Sequence, residues 1–142
     1  MINSQAKQNE EKAQKVIDVI CNYYSVDILN TEELKSRKIE FVRPRQIAMY
    51  FIKKMTGCTY RFIGDYFGGK NHATVIHAEN LIKDFIKVDF QVREECKELD
   101  IEIYKKVNLK QDKIKLTISN INDKLALFSI EKLIKIQNIL SN

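Results

Sequence analysis

Residues 43–50, RPRQIAMY, and residues 63–78, IGDYFGGKNHATVIHA, are the stretches on which the fold of this chain turns. Pro44 suits the first position of a helix, where its missing N–H costs nothing. Ile47, Ala48, Phe51, Ile52 and Met55 follow as an apolar stripe at helical spacing, and Gly57 closes the helix as its C′ residue. Thr59 is placed to cap a short helix over Tyr60 to Phe67, whose apolar side is Phe62, Ile63, Tyr66 and Phe67. Gly68 and Gly69 then make a turn that calls for positive φ. Asn71 can cap a third helix with Val75, Ala78, Leu81, Ile82 and Phe85 on its buried side and His72, Ala73, His77 and Asn80 opposite. The same pattern carries this helix past Asp89, with Val88 and Val92 in its stripe.

Two helices joined by a short glycine turn form a helix-turn-helix, in which the first turn of the second helix meets base edges in the major groove. That turn here is Asn71, His72, Ala73 and Thr74, small or planar hydrogen-bonding groups and a methyl, the types that read bases. A helix N-terminus also favours phosphate. Lys70, Lys53, Lys54, Arg45 and Arg43 stand behind it. The charge distribution agrees. Residues 35–80 hold nine Lys or Arg against three acids, residues 1–34 hold three against six, and residues 81–142 twelve against ten, so the +6 of the middle exceeds the whole chain's +5. Four of the five arginines, Arg37, Arg43, Arg45 and Arg61, fall in this middle part, and the arginine fork suits phosphates and guanine edges better than a lysine point charge.

Outward from this centre, Lys7 to Tyr24 reads as an amphipathic helix with Ala13, Val16, Ile17, Ile20 and Tyr24 inward. Asn30 to Glu33 can cap a short helical turn, and Ser36 to Phe41 reads as a basic loop. No strand signal precedes residue 100; beyond it Ile114, Leu116 and Ile118 alternate like a strand, and Leu125, Phe128, Leu133, Ile134, Gln137 and Leu140 read as a helix. The acids Glu94, Glu95, Glu98, Asp100 and Glu102 read as a solvated helix face. Cys21, Cys58 and Cys96 have the odd count and wide spacing of reduced, packed cysteines. No apolar run approaches the roughly 18 residues of a membrane span, and the polar N-terminus lacks a secretory core segment, so the expected compartment is the cytoplasm.

Taken together, the two quoted motifs closely resemble the C-terminal DNA-binding domain of the bacterial replication initiator DnaA, from about residue 10 to residue 88. The resemblance implies an all-α fold, a helix-turn-helix bundle of that type; the residues beyond it, 91–142, read separately as an additional helical extension. It implies that the helix after Asn71 enters the major groove at a short asymmetric site, the DnaA box. It further implies that Arg37 matches an arginine that enters the minor groove, that Arg45 and Gln46 match backbone-contacting positions, that His72, Ala73 and Thr74 match a His-Thr-Thr reading set, and that His77 matches a phosphate-side histidine. Lys70 replaces the family's usual arginine, Asn71 its usual aspartate, and Ala73 a threonine. Asparagine pairs with adenine where aspartate accepts from cytosine, and Ala73 keeps a methyl for thymine without the hydroxyl.

The domain reading is residues 1–90 for the DNA-binding domain and residues 91–142 for an extension that packs on it, self-associates or binds a protein partner. A full DnaA carries an ATPase module before this domain, and the resemblance here starts a few residues after Met1, so the expectation is a free-standing protein that binds double-stranded DNA, acts in replication or its control, and has no catalytic role. A transcriptional repressor and an adaptor for replication proteins are the alternatives. Residues 64–71, GDYFGGKN, imitate a phosphate-binding loop, but no strand signal precedes them and Asn71 stands where magnesium needs Ser or Thr. His72 and His77 are five apart, not the four of a helical zinc pair. No cofactor or metal is therefore expected.

Overall fold

The computed structural model describes residues 4–141, apart from side chains 110–112. The chain forms α1 (Ser4–Tyr24), α2 (Thr31–Lys35), α3 (Ile39–Thr56), α4 (Tyr60–Tyr66), α5 (His72–Val88) and α6 (Phe90–Leu140). No strand occurs among the described residues, so the all-α expectation holds and the alternation at Ile114, Leu116 and Ile118 lies in helix α6.

Two compact units divide the chain, one reaching to Val107 and the other beginning at Asn108. In the first, α3 is the axis against which α1 and α5 pack, and α4 packs on α5. Ala13, Val16, Ile17 and Ile20 of α1 meet Ile47, Ala48, Phe51 and Ile52 of α3 and Val75, Ala78 and Ile82 of α5 in one core, each at most 2% exposed. These are the stripes that helical spacing predicts. The unit does not stop near residue 90. Val92, Cys96, Leu99 and Ile103 lie on one face at spacings of four, three and four, and all are buried in the same core.

The predicted caps form. Asn30 accepts from the Glu32 amide at 3.0 Å, Thr59 from the Phe62 amide at 3.2 Å, and Asn71 from the Ala73 amide at 3.0 Å. Gly57 ends α3 with φ 64°, and its amide donates to the Lys53 carbonyl at 3.0 Å.

Two boundaries differ from the sequence reading. Helix α3 starts at Ile39, so Pro44 lies inside it and the basic loop shrinks to Ser36, Arg37 and Lys38. The early start has a local cause: Ser36 Oγ accepts from the Lys38 amide at 3.2 Å, and the Lys38 carbonyl accepts from the amides of Phe41 and Val42 at 3.0 Å. Helix α5 stops at Val88, which is 80% exposed rather than in the stripe. Asp89 makes the break by accepting from the Val92 amide at 3.2 Å, thereby starting α6. Arg93 closes the α5 end by donating to the Ile86 and Lys87 carbonyls at 2.8 and 2.7 Å, a cation at the negative end of the helix dipole.

The second unit, from Asn108 onward, is helical to Leu140, and its described side chains from Lys113 to Ser141 are exposed.

The α4–α5 turn rests on Gly64. The Lys70 amide donates to the Gly64 carbonyl at 2.9 Å, and a Cβ at residue 64 would lie well inside contact distance of the Lys70 carbonyl oxygen. Because that neighbour is backbone, it cannot swing away. Gly64→Ala is expected to lower stability by about 1–3 kcal/mol, the usual range for overpacking a tight site, measured by urea denaturation; an unchanged midpoint would show that the turn can open at no cost.

Candidate nucleic-acid interface

Helix α5 divides its residues cleanly. Val75, Ala78 and Ile82 face the core, while Asn71, His72, Ala73, Thr74, His77 and Asn80 are exposed. The first turn of this helix therefore opens to solvent with donors, acceptors and a methyl on one side. The Asn71 carboxamide oxygen is committed to its own helix through the Ala73 amide.

Beside that turn stands Lys70, half-buried, its ammonium pulled below the ordinary lysine value by burial and by the charge of Arg45. Arg45 is only 8% exposed. Its guanidinium donates to the carbonyls of Glu33 and Leu34 at 2.9 and 3.1 Å and to that of Ser36 at 3.3 Å. The short connection that carries exposed Arg37 is thus held by the same guanidinium whose charge reaches Lys70. The N-terminus of α5, Lys70, Arg45 and the Arg37 loop form one neighbourhood.

The other predicted basic residues lie elsewhere or are engaged. The Arg43 guanidinium sits 5.2 Å from the centre of the Phe85 ring. Phe85 is 13 residues beyond His72 on the same helix, so Arg43 stands roughly 20 Å along α5 from the helix's first turn. Lys53 donates to the Cys58 carbonyl at 2.7 Å and lies 4.3 Å from the centre of the Tyr60 ring. Lys54 pairs with Asp100 of α6 at 2.9 Å. Gln46 is half-buried on α3, and His77 is exposed on α5.

Helix α6 contributes what the sequence reading took for a solvated acidic face. Tyr23 and Tyr24 donate to Glu98 and Glu95, each at 2.8 Å. The bond to Glu98, with some burial, pushes the Tyr23 hydroxyl up to about 12; burial and the bond to Glu95 push Tyr24 up further still. Cys96 rises to about 11, chiefly through burial, as befits a packed thiol. Lys106 approaches Asp18 at 3.7 Å. Three acids of the run thus join α6 to α1 and α3.

Glu79 is the residue that sequence reasoning missed. It is 8% exposed, accepting from Tyr60 Oη of α4 and from Lys83 Nζ, both at 2.7 Å. One oxygen ties α4 to α5, and the other is satisfied within α5. Burial opposes ionisation, but the bonds from Lys83 and Tyr60 and the charges of Lys83 and Lys53 outweigh it, so the carboxyl titrates below its ordinary value. A signal was present: residue 79 adjoins Ala78 and falls one turn from Val75 and Ile82, on the apolar side. No cluster of His, Cys, Asp and Glu able to hold a metal occurs among the described residues, and no helix among them is long and apolar enough to cross a membrane.

Helices α4 and α5 across a glycine turn, with the second helix opening its first turn to solvent beside cationic groups, define a helix-turn-helix module of the DNA-binding class. Residues 13–82 match the family model described as the bacterial DnaA protein helix-turn-helix, and this part of the chain belongs to that family. The chain is 45% identical over 86 residues to the chromosomal replication initiator protein DnaA of Wolbachia sp. subsp. Brugia malayi, an alignment covering 61% of this chain and 18% of that protein. It is 42% identical over 89 residues to the DnaA of Wolbachia pipientis wMel, covering 63% and 18%. It is 38% identical over 101 residues to that of Bacteroides thetaiotaomicron, covering 69% and 21%. The chain therefore spans about a fifth of the length of these curated relatives.

The Tyr60–Glu79–Lys83 link makes the module's stability depend on pH. Since the folded carboxyl titrates below the ordinary 4.5, its contribution is full above that pH and is lost as pH falls through the folded value. Glu79→Gln should therefore be less stable than the parent by about 1–3 kcal/mol at neutral pH, with the gap narrowing on acidification; urea titrations at pH 7 and in the acid range measure it, and a constant gap would count against the charged role.

Proposed function

We propose that this chain binds double-stranded DNA sequence-specifically, at a site resembling the DnaA box, and that it acts in replication initiation or its regulation. The observation that carries the reading is the exposed first turn of α5, where His72, Ala73 and Thr74 follow a cap and stand beside Lys70. Only about the first turn or two of such a helix reaches base edges, so discrimination is concentrated there. His72 contacts a base edge or the neighbouring phosphate through one ring nitrogen. Ala73 meets a thymine methyl. Asn71 caps the helix and leaves the cytosine contact of an aspartate unmade, which moves the preferred sequence away from that of the relatives. Arg37, in its loop, reaches into a narrow AT-rich minor groove. His77 and Lys70 serve the phosphates. The reading assigns the chain no catalytic step and no cofactor.

Residues 108–142 are read as its association element. Ile114, Ile118, Ile121, Leu125 and Phe128 follow heptad spacing and are exposed, the pattern that a second helix covers. If so, Ile121→Glu combined with Leu125→Glu shifts the protein to monomer in sedimentation equilibrium; a parent that is already monomeric at high concentration removes self-association.

The decisive test of the DNA reading is His72→Ala. It is expected to weaken binding to a site selected from random duplexes at least about tenfold, the cost of one good base contact, while binding to a scrambled duplex and thermal unfolding stay nearly unchanged. Equal weakening on both duplexes would mean that α5 is not the reader. Asn71→Asp should move preference toward the standard DnaA box.

A further inference from the structure

We infer that Arg45 is a positioning residue, whose guanidinium clamps the connection between α2 and α3 and so sets the place from which Arg37 meets DNA. The inference rests on the DNA-binding reading above. Its motive is a mismatch between what Arg45 is and where it sits. A cation on a DNA-binding surface is expected to face phosphate, yet Arg45 is 8% exposed and directs its fork inward. Nη1 donates to Glu33 and Leu34, and Nη2 to Ser36. Burying an arginine against carbonyl dipoles alone is expensive, because no carboxylate among these contacts offsets the lost hydration. Such an arrangement holds only where it organises the backbone.

The geometry identifies the segment that is organised. Helix α2 is five residues long, and its terminal carbonyls need partners that so short a helix cannot supply. The Glu33 carbonyl takes the Ser36 amide at 3.1 Å; Arg45 adds a second donor there, supplies one to the Leu34 carbonyl, and places a positive charge at the negative end of the helix. Its third bond fixes the carbonyl of Ser36, the residue immediately before Arg37. On the other side of Arg37, the Lys38 amide is held by Ser36 Oγ at 3.2 Å and the Lys38 carbonyl by the first turn of α3. Arg37 is thus an exposed side chain on a backbone fixed on both sides. Arg45 itself is rooted in α3, which packs on α5. The loop that carries Arg37 is therefore referenced to the helix that carries His72, and a protein that reads two grooves at once needs that fixed offset.

Lysine cannot take this role. Its ammonium is a single point with three donors and cannot span carbonyls belonging to residues 33, 34 and 36 as the planar fork does. A phosphate contact, by contrast, is one that lysine makes well. Arg45→Lys therefore separates the two roles. In the free 142-residue chain, Arg45→Lys and Arg45→Ala should speed amide hydrogen exchange at Ser36 and Lys38, the bonded amides on either side of Arg37, by about tenfold, leaving the α5 amides unchanged. On duplexes with an AT-rich flank, both variants should lose about as much affinity as Arg37→Ala, of the order of tenfold, and the charge-preserving double variant Arg37→Ala, Arg45→Lys should be no weaker than Arg37→Ala alone. Arg45→Lys keeps the charge and the aliphatic stem, so it reports even if Arg45→Ala fails to fold. Recovery of parental affinity in Arg45→Lys, unchanged exchange at residues 36 and 38, or additive losses in the double variant would each overturn the inference. Faster exchange combined with parental DNA affinity in both Arg37→Ala and His72→Ala would sink the DNA reading itself, and with it the role given to Arg45.

Discussion

The Lys70 amide donates to the Gly64 carbonyl at 2.9 Å, and this contact depends on residue 64 having no side chain. Everything downstream takes its direction from it. The backbone leaves α4 through Gly68 and Gly69, both at φ 77°, folds back so that Lys70 lies on Gly64, and enters α5 at Asn71. A wider turn would swing the start of α5 and rotate Val75 out of the core, because Val75 lies one helical turn beyond Asn71. The close approach therefore converts a local backbone constraint into the exposure of His72, Ala73 and Thr74.

A second set of contacts fixes the crossing of α4 and α5 from the far side. Tyr60, at the start of α4, reaches Glu79 in the middle of α5, and Lys53 of α3 lies over the Tyr60 ring. The turn and this link hold α4 at both ends. Arg93 then closes the C-terminus of α5, and Val92, Cys96, Leu99 and Ile103 add a further layer of core. A module that presents one end of a helix to solvent in a fixed direction must keep that helix from rocking. Here each end of α5 has its own fastening, Gly64 with Asn71 at the start and Arg93 at the finish.

Much of this was legible in the sequence, for a definable reason. Asn30, Thr59, Asn71 and Gly57 act within a few residues of their own position, so their chemistry declares their role. The stripes of α1, α3 and α5 were legible because helical period alone fixes which side chains share a face. Effects that act through space were hidden. Pro44 is a strong start signal, but the actual start was moved to Ile39 by the turn that Ser36 and Lys38 form upstream. Asp89 was overlooked because the apolar period continues through Val88 to Val92, and a single side-chain acceptor was enough to break it. Glu95, Glu98 and Asp100 look like solvated charges until Tyr24, Tyr23 and Lys54 are brought opposite them by the fold.

The same distinction governs the basic residues. Charge counting places a surplus in the middle of the chain, and that surplus is real, but it does not say which cations remain available to a phosphate. Lys53 faces the Cys58 carbonyl and the Tyr60 ring, Lys54 faces Asp100, Arg43 faces Phe85, and Arg45 faces three carbonyls. A cation with such partners must give them up, or share them, before it can serve DNA, whereas Arg37 and the side chains of the α5 first turn stand exposed. Electrostatic attraction is long-ranged and needs only the net field, so the engaged residues still draw a polyanion toward this half of the unit. Reading the sequence of that polyanion is short-ranged and needs side chains that are both exposed and held in place. On this chain the engaged cations and the exposed groups are different residues, and buried Arg45 bonds the backbone beside exposed Arg37.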